Sequence, residues 1–200
     1  MPPRSLECLL GDVAFALREG LGPSDLIPML ERLLKLAPQG SEACQYGRLH
    51  LAELTIRTQP FRAASLARPV ALQSASDRAW GIVGLAMTLL GHYRVAVRAY
   101  RQALVIAPSH AGHLHNLGHV LDVGLDRFRE ARHYLELAHR QEPEVREIAS
   151  SLAHALVRSG DMNRAAILLC KSVGMTKTMA SATIEMWLSR TPEATTGLAR

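Results

Sequence analysis

Tryptophan, tyrosine and phenylalanine together make up only 4% of this 200-residue chain. Since 48% of the residues are nevertheless apolar, a core of this size has to be built mostly from leucine and alanine. Cysteine is scarce as well. Cys8, Cys44 and Cys170 are odd in number, far apart, and contain no C-x-x-C pair, which argues against a disulfide frame or zinc knuckle and leaves them as small buried hydrophobes. Long apolar runs are missing: the longest uncharged one, Trp80–Gly91, has 12 residues, against about 20 for a membrane-spanning helix. Near the N-terminus Arg4 is followed by Glu7 and Asp12, which breaks the apolar stretch of a secretory signal, and Cys8 lacks the preceding run of a lipoprotein. The expected compartment is the cytosol. The chain also has no Gly-rich phosphate loop, no G-x-S-x-G elbow, no H-E-x-x-H helix and no paired carboxylates set apart from solvent. The expectation is a protein that is not an enzyme and uses no cofactor.

What the chain has instead is repetition. The segment 77–110 carries Trp80, Gly84, Gly91, Tyr93, Ala96, Tyr100, Ala103 and Pro108, and the segment 111–145 sets Leu114, Leu117, Gly118, Phe128, Ala131, Leu135, Ala138 and Pro143 in the same slots. The period is 34 residues, with one extra residue around Gly124 to Asp126 in the second copy, whose turn should be one residue longer. Each unit reads as an antiparallel helix hairpin. Gly84 and Gly118 fall where the two helices come closest, so that a side chain would push them apart, and Ala96, Ala131 and Ala165 serve the same closeness from the second helix. Tyr93 and Phe128 open that helix and are expected to fill the wedge between hairpins. Pro108 and Pro143 end each unit because proline cannot continue a helix there. A hairpin of this kind keeps an unburied apolar face and must stack on a neighbour.

Other segments keep the rhythm less strictly. In 146–177, Leu152, Leu156, Gly160, Ala165 and Leu169 fall into place without a closing proline, making a third repeat. Segment 41–76 offers Leu51 and Leu54, a turn at Gln59 and Pro60, then Phe61, Ala64 and Ala71. Segment 5–40 reads as two helices split by Gly20, Gly22 and Pro23, with Ser24 as N-cap and Leu26, Leu30, Leu33 and Leu34 as a buried stripe. A last helix over 176–189, opened by a threonine cap and ended before Pro192, is expected to close the stack through Met179, Ala182, Met186 and Trp187. Residues 191–200 are expected to form a flexible tail.

These residues resemble the tetratricopeptide repeat family, most clearly over 77–177, with degenerate copies extending the likeness so that 1–190 forms one array. The resemblance implies an all-α fold, a right-handed α-solenoid of stacked helix hairpins whose first helices line a concave groove. It also implies a function: a protein-interaction module or assembly scaffold that holds a peptide or helical segment of another protein in that groove. A type III secretion chaperone built of three such repeats resembles this chain in length and helical layout, although chaperones of that class are typically acidic and this chain is basic.

Aligned on the family pattern, the groove-facing positions named as partner-binding are Arg78; His115, Asn116, His119 and Asp122; and Glu147, Ser150, His154 and Arg158. Gly81, Leu85, Thr88 and Ser151 share the same faces. Asn116 occupies a slot where peptide-binding members of the family place an asparagine, whose amide both donates and accepts. The carboxylate clamp that grips acidic chaperone tails would need basic and amide residues on the flanking helices, where Gly81, Leu85, Glu147 and Ser151 stand instead. Chaperone-tail binding is therefore rejected. His115 and His119, four apart, with His154 one repeat later, are read as polar groove lining; a lone H-x-x-x-H among nine histidines does not define a metal site.

Charge suggests another surface. The chain is formally +5, with 20 arginines against the three lysines Lys35, Lys171 and Lys177. Arg94, Arg98 and Arg101 share one side of a second helix, and Arg129 and Arg132 recur on the next. Nucleic acid ranks below an acidic protein as the partner of this strip, because no aromatic residues interleave the arginines and Glu130 and Glu136 lie among them.

Overall fold

The computed structural model describes residues 5–190, and every regular element among them is a helix. Two compact units divide the chain, Met1–Ala107 and Pro108–Arg200.

The first unit contains α1 (Leu6–Arg18), α2 (Pro23–Leu36), α3 (Glu42–Thr55), α4 (Pro60–Gln73), α5 (Asp77–Leu89) and α6 (Tyr93–Ile106). Their starts follow from local chemistry. Ser5, Ser41 and Ser76 each accept a hydrogen bond from the backbone N–H three residues on, satisfying a donor that the first helical turn cannot pair. α2 and α4 begin directly on proline, whose fixed φ suits the first position. The cap of α2 is consequently Gly22, and Ser24, expected to cap it, lies inside the first turn. Leu9, Val13, Leu26, Leu30, Leu33 and Leu51 form one apolar cluster. A second is alanine-rich, with Ala63, Ala67, Val70, Ala79, Val83 and Ala86 at its centre. In α4 the buried face is thus Ala63, Ala64, Ala67, Val70 and Ala71, which includes the expected Ala64 and Ala71, while Phe61 turns outward.

The close approach of α5 and α6 has a plain steric cause. A methyl group on Gly84 would sit 2.6 Å from the ring of Tyr100, which is itself fully buried. Burial pushes the Tyr100 phenol up to about 12, opposed by a hydrogen bond with Thr88. Tyr93, expected in the wedge between hairpins, keeps 37% of its surface exposed.

The second unit contains α7 (Ala111–His119), α8 (Phe128–Gln141), α9 (Arg146–Arg158), α10 (Met162–Lys171) and α11 (Lys177–Arg190). Leu117, Leu121, Leu135, Leu156 and Leu169 are fully buried there, and a Cβ on Gly118 would lie 2.6 Å from Leu135 Cγ. The extra residue of this hairpin is absorbed by widening the helix end. Val120–Gly124 forms a π turn continuing α7, and the closing hydrogen bond runs from Arg127 N–H to the Leu121 carbonyl. The corresponding bonds elsewhere span one residue less, His92 to Met87 and Asp161 to Leu156. The left-handed position that follows is held by Gly91 in α5–α6 and by Gly160 in α9–α10, but by Asp126 here, at φ 58°. Aspartate is among the few non-glycine residues that adopt this conformation readily.

Thr176 caps α11 by accepting from Met179 N–H. The face that α11 buries is Ala180 and Ile184, with Trp187 half-buried beside them, whereas Met179 is 56% and Met186 42% exposed and Ala182 is exposed. The expected capping stripe is therefore rotated by one residue. The cysteines also divide: Cys44 is buried and Cys170 half-buried, but Cys8 is exposed. The expected tail, 191–200, lies outside the described residues.

Candidate functional site

The polar residues projected onto the first helices of the second unit form two sets, one locked and one free. The locked set centres on Asp122, which the π turn carries into the interior, where it is only 2% exposed. A carboxylate buried to this degree requires donors. His154 Nδ1–H donates to Asp122 Oδ2 at 2.5 Å. Arg158 Nη1 donates both to Asp122 Oδ1 and to the Asp122 backbone carbonyl, each at 2.8 Å. The other terminal nitrogen of Arg158 pairs with Asp126, and the guanidinium lies 4.9 Å from the ring centroid of Phe128, a distance at which cation and ring attract. Only Nε of this side chain is buried without an acceptor among the described residues. The rings of Trp187 and His154 meet at right angles, centroids 5.1 Å apart, so α11 braces the same cluster.

The geometry explains the local sequence. The extra residue produces the π turn that buries Asp122, and the left-handed slot takes an aspartate because its carboxylate is a second seat for Arg158. Asp122 and Arg158 are thus framework, joining the end of α7 and its loop to α9. Sequence reasoning placed them in the groove lining; pairing over a separation of 36 residues left no local signal by which their mutual neutralisation was readable.

Above this clamp, His115 Nε2 lies 3.0 Å from Ser151 Oγ, a second tie between α7 and α9. Burial lowers the His115 pKa, the neighbouring His119 lowers it further, and Glu147 opposes both. The ring is consequently neutral near pH 7. The His119 ring stands 6.2 Å from His115 and is exposed. Asn116 and Ser150 are half-buried, Glu147 is exposed, and none of the three has a side-chain hydrogen bond among the described residues. These three, with His119, make up the free set.

Arg78 belongs to the first unit and is committed elsewhere. Its Nε and Nη2 donate to the two carboxylate oxygens of Glu53 at 2.6 and 2.5 Å, a fork that raises its pKa, and Nη2 also approaches His50 Nδ1 at 3.3 Å. Burial, and then Arg78, lower the pKa of His50, so the imidazole accepts here as a neutral ring. On the other face of the hairpins, Arg132 bonds Glu136 at 3.0 Å and Arg164 bonds the same oxygen at 3.3 Å. Those arginines carry compensated charge.

No protein-family model matches this chain, and no curated protein matches it. Solved structures do. A crystal structure of MamA aligns at 18% identity over 86% of this chain and 96% of its own, with a TM-score of 0.68. Residues 41 to the end of MamA from Desulfovibrio magneticus RS-1 align at 16% identity over 89% and 96%, with a TM-score of 0.70. A thermophilic TPR protein of Thermus thermophilus aligns at 16% identity over 92% of this chain and 100% of its own, with a TM-score of 0.66. The fold is accordingly the all-α tetratricopeptide type, built of antiparallel helix hairpins.

Proposed function

We propose that this protein is a non-catalytic interaction module, an adaptor or assembly scaffold of the cytosol, that captures a peptide or helical segment of another protein on the first-helix face of α7 and α9. The observation that carries the reading is Asn116: a half-buried amide with no side-chain partner among the described residues, set beside side chains that are already tied down. An amide offering donor and acceptor together matches the backbone of an extended chain. The His115–Ser151 and Asp122–His154–Arg158 ties hold α7 against α9 before any partner arrives, and such preorganisation lowers the ordering cost of binding. In this reading Asn116, His119, Glu147 and Ser150 touch the partner, while Asp122, His154 and Arg158 act by positioning them. No helix among the described residues is long and apolar enough to cross a membrane.

The test is site-specific photo-crosslinking in extracts of the native source. A crosslinking amino acid at position 116 or 150 should trap one discrete polypeptide, and the same group at exposed Gln141 on α8 should not. Asn116→Ala should weaken capture by about 1–3 kcal/mol, the cost of leaving a ligand amide desolvated and unpaired, with the melting temperature unchanged. Equal trapping from position 141, or full capture by Asn116→Ala, refutes the assignment of this face.

A further inference from the structure

The first unit carries a groove that the reading above does not use. Its floor is α5, through Trp80, Val83 and Met87; one wall is α4, through Phe61 and Leu72, and the other is α6, through Val95. The cavity measures about 600 Å³, within the range of about 300–1,000 Å³ found for ligand pockets. Solvent reaches its apolar side chains: Phe61 is 76% and Leu72 65% exposed. The outward stripe of a surface helix is ordinarily polar, and a contiguous apolar patch that breaks this rule marks a place of association.

Charge on the same walls narrows the occupant. Neither α4, PFRAASLARPVALQ, nor α6, YRVAVRAYRQALVI, contains an aspartate or glutamate. Arg68 and Arg98 line the groove from opposite walls, both are exposed, and neither has an ion-pair partner among the described residues. Arg62, on the same helix as Arg68, shows the contrast, being paired with Glu31 at 2.5 Å. An apolar trough between two uncompensated guanidinium groups suits a ligand that is apolar along its middle and anionic along both sides. A phosphate backbone would satisfy the arginines and leave the trough empty; a flat bilayer surface would not enter it.

We propose that this groove docks an acidic amphipathic helix of a partner protein, whose bulky apolar side chains at i, i+3 or i+4, and i+7 fill the space over Trp80 while flanking carboxylates meet Arg68 and Arg98. Helix-in-groove recognition works through that spacing, and arginine pairs carboxylate with two parallel hydrogen bonds. The site is independent of Asn116 and lies on the second-helix side of its hairpins.

The experiment uses the full chain carrying Trp187→Phe, so that Trp80 is the only tryptophan. The probe is a four-turn synthetic helix with Leu and Phe on one face and Glu on both flanks; a twin carries Lys in place of Glu. The acidic peptide should change Trp80 emission saturably, with a micromolar Kd that rises at least about tenfold on doubling the ionic screening length's inverse, as expected of contacts between exposed charges. The double variant Arg68→Glu/Arg98→Glu should weaken it by a similar factor, as should Phe61→Ser/Leu72→Ser, while circular dichroism stays that of the parent because all four side chains are exposed. Gln141→Ala, at an exposed position on α8, should leave this response as in the parent. The proposal is overturned if the acidic peptide gives no saturable response, if the Lys twin binds equally well, or if the arginine variant binds as the parent does. It is overturned equally if phosphatidylglycerol vesicles or a single-stranded oligonucleotide bind this face in an arginine-dependent way and the peptide does not.

Discussion

Replacing Asp122 by alanine tests whether the buried clamp holds the second unit together. The side chain is only 2% exposed and receives His154 and Arg158. Removing it strands two donors that were desolvated to meet it. Breaking a buried ion pair from one side costs about 3–5 kcal/mol. Arg158 keeps Asp126 and the carbonyl of residue 122, so the low end, about 3 kcal/mol, applies here. Asparagine should do little better, because its amide NH₂ would confront one of the two donors. The assay is urea unfolding combined with amide hydrogen exchange. The midpoint should fall, and protection should drop in the π turn Val120–Gly124 and in α9 before it drops in α1–α4. A double-mutant cycle with Arg158→Met should return a coupling of about 1–3 kcal/mol. If Asp122→Ala loses less than about 1 kcal/mol, or the cycle closes without coupling, the clamp contributes little and the account of the π turn fails.

Asp126→Gly should fall within about 1 kcal/mol of the parent, since release from the left-handed conformation offsets the lost partner of Arg158; Asp126→Val, which keeps the strain and loses the pairing, should be clearly less stable in the same unfolding assay. Gly84→Ala and Gly118→Ala should each destabilise, because overpacking against Tyr100 or Leu135 costs about 1–3 kcal/mol and exceeds the roughly 1 kcal/mol that alanine gains in helix propensity. Gly47→Ala meets side-chain methyl groups of Leu34 at 3.0 Å and of buried Leu33 at 3.3 Å rather than a ring or backbone, and should cost less in a thermal melt than either of the other two. Because burial raises the Tyr100 phenol to about 12 in the folded protein against 10.0 otherwise, folding excludes the phenolate: nothing is lost below pH 10, and about 3 kcal/mol of stability is lost as pH rises from 10 through 12. Urea midpoints followed across that alkaline range should fall faster for the parent than for Tyr100→Phe; parallel curves refute the burial argument. His115 has the opposite sense: its lowered pKa means stability is complete above its ordinary value of 6.5 and declines as pH falls below it, a slope that His115→Gln should reduce.

What the sequence by itself determined is the repeating hairpin and the reasons for it. The 34-residue spacing, the glycines at 84 and 118, and the alanines at 96, 131 and 165 express contacts between helices adjacent in the chain, and such contacts recur at fixed offsets that a linear reading can see. The groove-facing positions were what the family resemblance implied, and alignment on a repeat assigns a residue to a slot but not what it meets there. Only tertiary structure decided that Asp122 and Arg158 neutralise one another, that Asp126 rather than glycine occupies the left-handed slot for the sake of a second carboxylate, and that α11 turns Ile184 inward instead of Met186. It decided likewise that Phe61 stands outward and that Arg68 and Arg98 face one another unpaired across an apolar trough. Each of these depends on residues about thirty positions apart or on the rotation of a helix about its own axis. Local periodicity fixes the existence of an apolar face; the angle at which that face meets its neighbour, and the charges it brings opposite, are set by the packing of side chains from other turns of the stack.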